Sequence, residues 1–229
     1  MEHKIIVAGI GPGAKEYVIP MAMQAINEPK VLVGGTRALN EFSHQGQKTF
    51  AIKADITAVM DFIKVELNDN DVVVMVSGDP GYYSLLSALR KSFPLENIKV
   101  IPGLSSMQTA FAKIALPWQE ASLLSFHGRV PSDEDLKYYP GRIIGMLTDN
   151  KFNSNAIATY LIARGWDKNA RAYICSRLSY PDEKIVSLSL DEAQTKACVS
   201  HCVMIMFGRN RRIGTKTNRL FYWMHISIR

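Results

Sequence analysis

Three segments of the chain each follow a short apolar, β-branched run, and each combines glycines with polar groups able to hold a small molecule. They are Gly9-Ile10-Gly11-Pro12-Gly13, Ser77-Gly78-Asp79-Pro80-Gly81-Tyr82 and Pro102-Gly103-Leu104-Ser105-Ser106. Glycine lets a backbone turn sharply and approach a ligand closely, because no Cβ stands in the way. In the second segment Asp79 and free backbone amides stand at a strand's carboxyl end, the edge where open α/β sheets bind ligands. Asp79 is either a ligand contact or the cap of a helix starting near Gly81. In the third, Ser105 and Ser106 stand at a helix N-terminus, whose unpaired N–H groups and partial positive charge suit a carboxylate. Capping is the alternative for either serine. Three such turns at one sheet edge point to a small-ligand cleft.

Two common phosphate-binding chemistries are excluded. A dinucleotide fingerprint needs Gly-x-Gly-x-x-Gly and an acidic residue ending the second strand, whereas here a proline interrupts Gly-x-Gly-x-Gly and the second strand runs into Gly34-Gly35-Thr36. The Gly-x4-Gly-Lys-Ser/Thr loop of nucleoside triphosphatases is missing as well.

The elements that must position these turns follow from hydrophobic period. Short β-branched runs at 4–8, 30–33, 72–76 and 98–101 alternate with helical patterns at 20–27, 55–67, 81–91 and 105–114, which predicts a mainly parallel sheet with crossover helices. Asp55 is the expected N-cap of its helix. The run 72–76 has no polar alternation, as in a central strand buried on both faces. After Pro117 a second series begins, with strands at 122–126, 142–147, 171–175, 184–188 and 202–207 and helices at 133–138, 153–164 and 189–196. The Pro181-Asp182 turn between two strand-like runs predicts a hairpin and a mixed sheet. The expected division is an N-terminal α/β domain at 1–114, a C-terminal α/β domain at 119–207, and an extension at 208–229.

Composition narrows the class of partner. The 229 residues are 47% hydrophobic and 21% charged, which excludes a disordered or collagen-like chain. The net charge of +6 invites a nucleic-acid reading, but residues 1–207 hold 21 basic and 21 acidic residues, and the excess lies in Arg209, Arg211, Arg212, Lys216, Arg219 and Arg229. An electrically balanced body does not predict a nucleic-acid partner. Three cysteines fit a reducing compartment rather than a disulfide framework. The first residues lack the charged-then-apolar pattern of an export signal, and the apolar runs are far shorter than the roughly 20 residues that cross a bilayer. A cytoplasmic protein without a membrane partner is expected. Cys198-Val199-Ser200-His201-Cys202 offers no complete ligand set at zinc spacing, so no metal centre is expected there, and Tyr138, Tyr139 and 203–207 read as packing residues.

In their order along residues 4 to about 207, GIGPG from Gly9, SGDPGYYSLL from Ser77 and IPGLSSMQTAFAKIALPW from Ile101 resemble the tetrapyrrole methylase family. Ser125-Phe126-His127-Gly128-Arg129, Leu147-Thr148-Asp149 and Pro181-Asp182-Glu183 resemble its precorrin-7 or cobalt-precorrin-7 C5-methyltransferase branch. The resemblance implies two α/β domains with the active-site cleft between them, S-adenosylmethionine as cofactor, an anionic tetrapyrrole as substrate and a homodimer. It also implies a separate partner enzyme that methylates C15 and removes a carboxyl group. By position, it assigns cofactor contacts to Gly11 and Pro12, to Ser77, Gly78, Asp79 and Tyr82, to Ser105 and Ser106, and to Leu147.

A sulfonium methyl is already activated and an electron-rich ring carbon is the nucleophile, so alignment and exclusion of water can supply most of the catalysis. His127 is the candidate base for the ring proton lost afterwards; its alternative is a polar turn residue contacting substrate or backbone. Arg129, and less so Lys151, could meet substrate carboxylates, the alternative for each being ordinary solvation. The competing functions are another enzyme of the superfamily, acting at a different corrinoid position, as a diphthine synthase or as an rRNA ribose methylase, and a non-catalytic binding module. The basic and aromatic segment after Phe207 departs from the family pattern. An edge strand, a dimer contact or an unusual terminus is expected there, and its deletion should leave methyl transfer intact.

Overall fold

A computed structural model of the chain describes residues 3–196 and 198–208. The expected basic extension therefore lies, from residue 209 on, outside the described residues.

The first five strands, β1 (Ile5–Gly9), β2 (Val31–Gly34), β3 (Lys48–Ala51), β4 (Val72–Val76) and β5 (Ile98–Ile101), form one sheet in the order β3-β2-β4-β1-β5. All its pairings are parallel. Every residue of β4 is buried, and the period of two along the strand sorts its side chains into two layers. Val72, Val74 and Val76 pack with Val59 and Ile63 of α3 (Ile56–Glu66) and Leu89 of α4 (Leu86–Ser92). Val73 and Met75 pack with Ala22 and Ile26 of α1 (Pro20–Asn27) and with Ala38, Leu39 and Phe42 of α2 (Thr36–Phe42). A strand with an apolar helix layer on either side has no reason to carry a polar residue. The fifth helix, α5 (Ser106–Lys113), follows β5.

The remaining strands, β6 (Ser122–Ser125), β7 (Ile143–Leu147), β8 (Arg171–Ser176), β9 (Lys184–Ser189) and β10 (Val203–Phe207), form a second sheet in the order β6-β7-β10-β8-β9. It is mixed: β6 runs parallel to β7, while β10 runs antiparallel to both β7 and β8. Ile144, Met146, Met204 and Met206 from its central strands pack with Ile157 and Leu161 of α6 (Ser154–Ile162), Leu190 and Ala193 of α7 (Leu190–Lys196), and Trp166. The chain divides into two units: Met1–Pro117 with Arg177–Lys184, and Trp118–Ser176 with the chain from Ile185 on.

Three expectations are corrected. The stretch between β2 and α3 holds α2 and β3, which the sequence pattern did not reveal; α2 is two turns long, and β3 is an edge strand whose Lys48 and Thr49 are exposed. The helix expected from 81 starts at Leu86, because Tyr83 has φ 50, a left-handed conformation no α-helix can pass through. The helix expected at 133–138 is a pair of turns. There the buried Arg142 guanidinium donates to the carbonyls of Lys137 at 2.5 Å and Asp135 at 2.6 Å, taking acceptors that a helix would need.

Asp55 does cap α3, its carboxylate accepting from the amide of Ala58 at 3.0 Å. Asp55→Ala is expected to cost about 1 kcal/mol, read as a shift of the urea midpoint without a change in slope.

Candidate active site

Loops after β4, β1 and β5, three adjacent strands, meet at the carboxyl edge of the first sheet, and glycine makes the meeting possible. A Cβ on Gly9 would fall 2.7 Å from the carbonyl oxygen of Gly78 and 2.7 Å from the amide of Gly103. One on Gly103 would fall 2.4 Å from the same oxygen and 2.9 Å from the Gly9 backbone. Gly11 and Gly78 both have φ +72, the left-handed region that glycine adopts without strain. The Gly78 amide donates to the Gly11 carbonyl at 2.8 Å, joining the first two loops.

Asp79 joins the second loop to the third. One carboxylate oxygen accepts from the amide of Gly81 at 2.7 Å, the other from the amide of Gly103 at 3.0 Å. It does not cap α4, which begins five residues past Gly81. Ser105 is buried and caps α5 in a reciprocal box: its hydroxyl accepts from the Gln108 amide at 3.1 Å, while the Gln108 side chain accepts from the Ser105 amide at 2.9 Å. Ser106, the first residue of α5, stays partly exposed beside it, and Ser77 is exposed at the end of β4. Burial, with the Tyr83 ring beside it, pushes the Tyr82 phenol up, so the hydroxyl stays protonated as a donor.

The first loop is held from a side that sequence reading did not foresee. Gly13 is packed so tightly that a Cβ there would fall 2.3 Å from the Tyr180 ring. The Ala14 amide donates to the Ser179 hydroxyl at 3.0 Å. Ser179 sits at φ 69, and its amide donates to Glu183 at 2.8 Å, while Glu183 also pairs with Lys113 at 2.8 Å. Pro12, partly buried, is thus flanked by two fixed glycines. Ser179 is the residue of this edge that reading the sequence missed, and nothing in the sequence marked it. Gly9 and Gly103 stood in the glycine segments, but their contact with each other was not foreseen.

Leu147, His127 and Arg129 belong to the other unit. Leu147 ends β7, and its carbonyl accepts from the Phe126 amide at 2.8 Å. His127 and Arg129 follow β6 and are exposed. The turn between them is shaped by Asp149, whose carboxylate accepts from the amides of Phe152 at 2.6 Å and Gly128 at 3.0 Å. The rings of His127 and His201 lie 6.3 Å apart. Cys202 is buried, its thiol donating to the Val199 carbonyl at 3.4 Å, whereas Cys198 is exposed.

The amides of Phe152 and Gly128 hold the Asp149 carboxyl below its usual value of 3.8. A depressed folded value means that the stabilisation is fully present above the unfolded value and is lost as pH falls past it through the folded one. Urea midpoints of the wild type and Asp149→Asn should therefore differ by a constant amount near neutrality and converge as pH falls below about 4. A gap that held constant through acid would show that the amide bonds do not depend on the charge.

The fold recurs in known proteins. Residues 4–194 match the sequence profile of Tetrapyrrole (Corrin/Porphyrin) Methylases. A cobalt-precorrin-7 C(5)-methyltransferase of Salmonella typhimurium is 35% identical over 161 residues, covering 70% of this chain and 79% of the relative. A probable cobalt-precorrin-7 C(5)-methyltransferase of Methanocaldococcus jannaschii is 28% identical over 197 residues, 82% of this chain and 90% of its own. Among solved structures, a uroporphyrin-III C-methyl transferase from Thermus thermophilus complexed with S-adenyl homocysteine superposes with a TM-score of 0.68 at 18% identity, covering 89% of this chain and 96% of that one. With a profile match over most of its length, the three glycine loops inside that match, and a relative 35% identical over 161 residues, the chain belongs to the tetrapyrrole (corrin/porphyrin) methylase family.

Proposed function

We propose that the protein transfers a methyl group from S-adenosylmethionine to C5 of precorrin-7 or cobalt-precorrin-7 in cobalamin biosynthesis. The 35% identity to a C5-methyltransferase over 161 residues carries this reading. The residues present fit the cofactor: glycine at Gly9 and Gly103 lets the three strand-end loops pack on one another, and Ser77 and Ser106 keep polar groups accessible beside them. When bound, S-adenosylmethionine supplies a methyl group already activated on a sulfonium.

The chain's own part is to bind, orient and exclude water. We assign cofactor contacts to Gly11, Pro12, Ser77, Gly78, Asp79, Tyr82, Ser105, Ser106 and Leu147. Ser106, partly exposed at the start of α5, suits the carboxylate; Ser105, occupied in its capping box, positions that terminus. The Tyr82 phenol is a donor at neutral pH. Substrate contacts fall to His127 and Arg129. Among the described residues the His127 ring makes no hydrogen bond, so no neighbour orients it as a base, and contact with an acidic substrate is the better-supported role. A cytoplasmic homodimer working beside a separate C15-methylating, decarboxylating enzyme completes the proposal. Among the described residues no helix is long and apolar enough to cross a membrane.

The test is incubation of the purified protein with S-adenosylmethionine and either precorrin-7 or its cobalt form. The expected result is a mass gain of one CH₂ per ring with equal consumption of cofactor. Methylation of neither ring form would sink the proposal.

A further inference from the structure

The segment Cys198-Val199-Ser200-His201-Cys202 has no part in the assignments above, yet it carries a second imidazole to the edge where β6 and β7 end and β10 begins. The His201 and His127 rings are exposed, their centroids 6.3 Å apart and their planes tilted by 54°. The His201 backbone is left-handed, at φ 50, a conformation in which glycine is at ease and histidine is strained.

Both flanks of His201 are anchored. The Val199 amide donates to the Ser154 hydroxyl at 2.9 Å, and the Ser154 amide returns a bond to the Val199 carbonyl at 3.0 Å. The Cys202 amide donates to Thr148 Oγ1 at 2.8 Å, and that hydroxyl donates to the Cys202 carbonyl at 3.0 Å. A strained backbone, fixed on either side by buried partners, thus presents a ring that makes no hydrogen bond of its own among the described residues. Packing gives no reason for histidine rather than glycine at this position. Residues held in this left-handed region cluster at active sites and ligand clamps.

The charged neighbours are compatible with an anion. Asp149 lies beside His127, but its carboxylate is occupied by the amides of Phe152 and Gly128. Lys151, its ammonium 5.5 Å from the Phe152 ring, and Arg129 supply positive charge in the adjoining loops.

We propose that His127 and His201 form a paired contact for one carboxylate side chain of the tetrapyrrole, received between the two imidazoles. Charge-assisted N–H···O bonds of about 2.8 Å from rings at this separation can reach the two oxygens of a single carboxylate. The inference rests on the tetrapyrrole reading above and adds His201 to it as a substrate-positioning residue.

The test uses the full chain and His201→Gly, which removes the ring and relieves the left-handed backbone, so the urea midpoint should hold or rise. His201→Gln, which keeps a hydrogen-bond donor but not the imidazole ring, should fall between the two. Two readouts are taken: KM for the methylated precorrin-7 form, and Kd for uroporphyrin III, an octacarboxylate tetrapyrrole, by quenching of tryptophan fluorescence. For His201→Gly, loss of one charge-assisted bond should weaken both by about tenfold, with the effect in KM rather than kcat and with cofactor affinity unmoved. Equal KM and Kd in wild type and His201→Gly would overturn the pairing while leaving the function intact. If the wild type methylates neither form of precorrin-7, the functional reading fails. The uroporphyrin titration then decides the pairing alone, equal affinities overturning it and a tenfold loss supporting it.

Discussion

Gly103→Ala should be the most damaging single-methyl change in the first unit. The added carbon would lie 2.4 Å from the Gly78 carbonyl oxygen and 2.9 Å from the Gly9 backbone. Neither neighbour is a side chain that can rotate away; both are backbone at the ends of β4 and β1, fixed by parallel pairing of Val76 with Gly9. Overpacking typically costs 1–3 kcal/mol where side chains can give. Here the strand ends themselves must separate, so about 3 kcal/mol or more is expected, a large part of the roughly 5–15 kcal/mol of a typical domain. Urea denaturation reads the loss, and calorimetry should find no cofactor binding even where the variant remains folded. Gly35→Ala is the control: its Cβ meets nothing within 4 Å, and as an N-cap position it should cost about 1 kcal/mol or less. Equal effects at the two sites would remove the glycine cradle from the account.

Asp79→Ala should act on binding more than on folding. The carboxylate takes the amides of Gly81 and Gly103, and hydrogen bonds to a charged group are worth about 1.5–3 kcal/mol each. Both loops lie at the solvent edge, so water replaces part of that loss in the empty protein. With cofactor bound, the loops must be held in one arrangement, and there the clamp counts in full. A loss of affinity for S-adenosylmethionine of roughly a hundredfold is expected, from about 2.7 kcal/mol, with a stability change near 1 kcal/mol. Asp79→Asn, which keeps an acceptor but not the charge, should fall between. Calorimetric titration of the three proteins measures it, and unchanged affinity in Asp79→Ala would exclude Asp79 from the site.

What could be read from the sequence was what burial and local bonding dictate. The run 72–76 announced itself because two apolar layers cover it. The Ser105 cap stood in the sequence only as one of two alternatives, and Gln108 three residues on is the signal that decides it. By contrast, Lys48–Ala51 pairs on one side only and keeps polar residues, so nothing marked it as a strand. The late start of α4 depends on a left-handed Tyr83, a residue type that rarely adopts that conformation. The site divides in the same way. Gly11, Gly78 and Asp79 were legible as turn chemistry. The need for Gly103 arises from backbone at Gly9 and Gly78, and the meeting of His201 with His127 from the pairing of β10 beside β7. Long-range register leaves no trace in local spacing.

The central claim is the position of the methyl group on the ring. S-adenosylmethionine labelled with ¹³C in its methyl group, incubated with the purified protein and precorrin-7 with or without cobalt, allows the product carbon to be located by NMR. The label is expected on C5 alone. A label at another ring carbon, or none on the ring while the cofactor is consumed, would contradict the account.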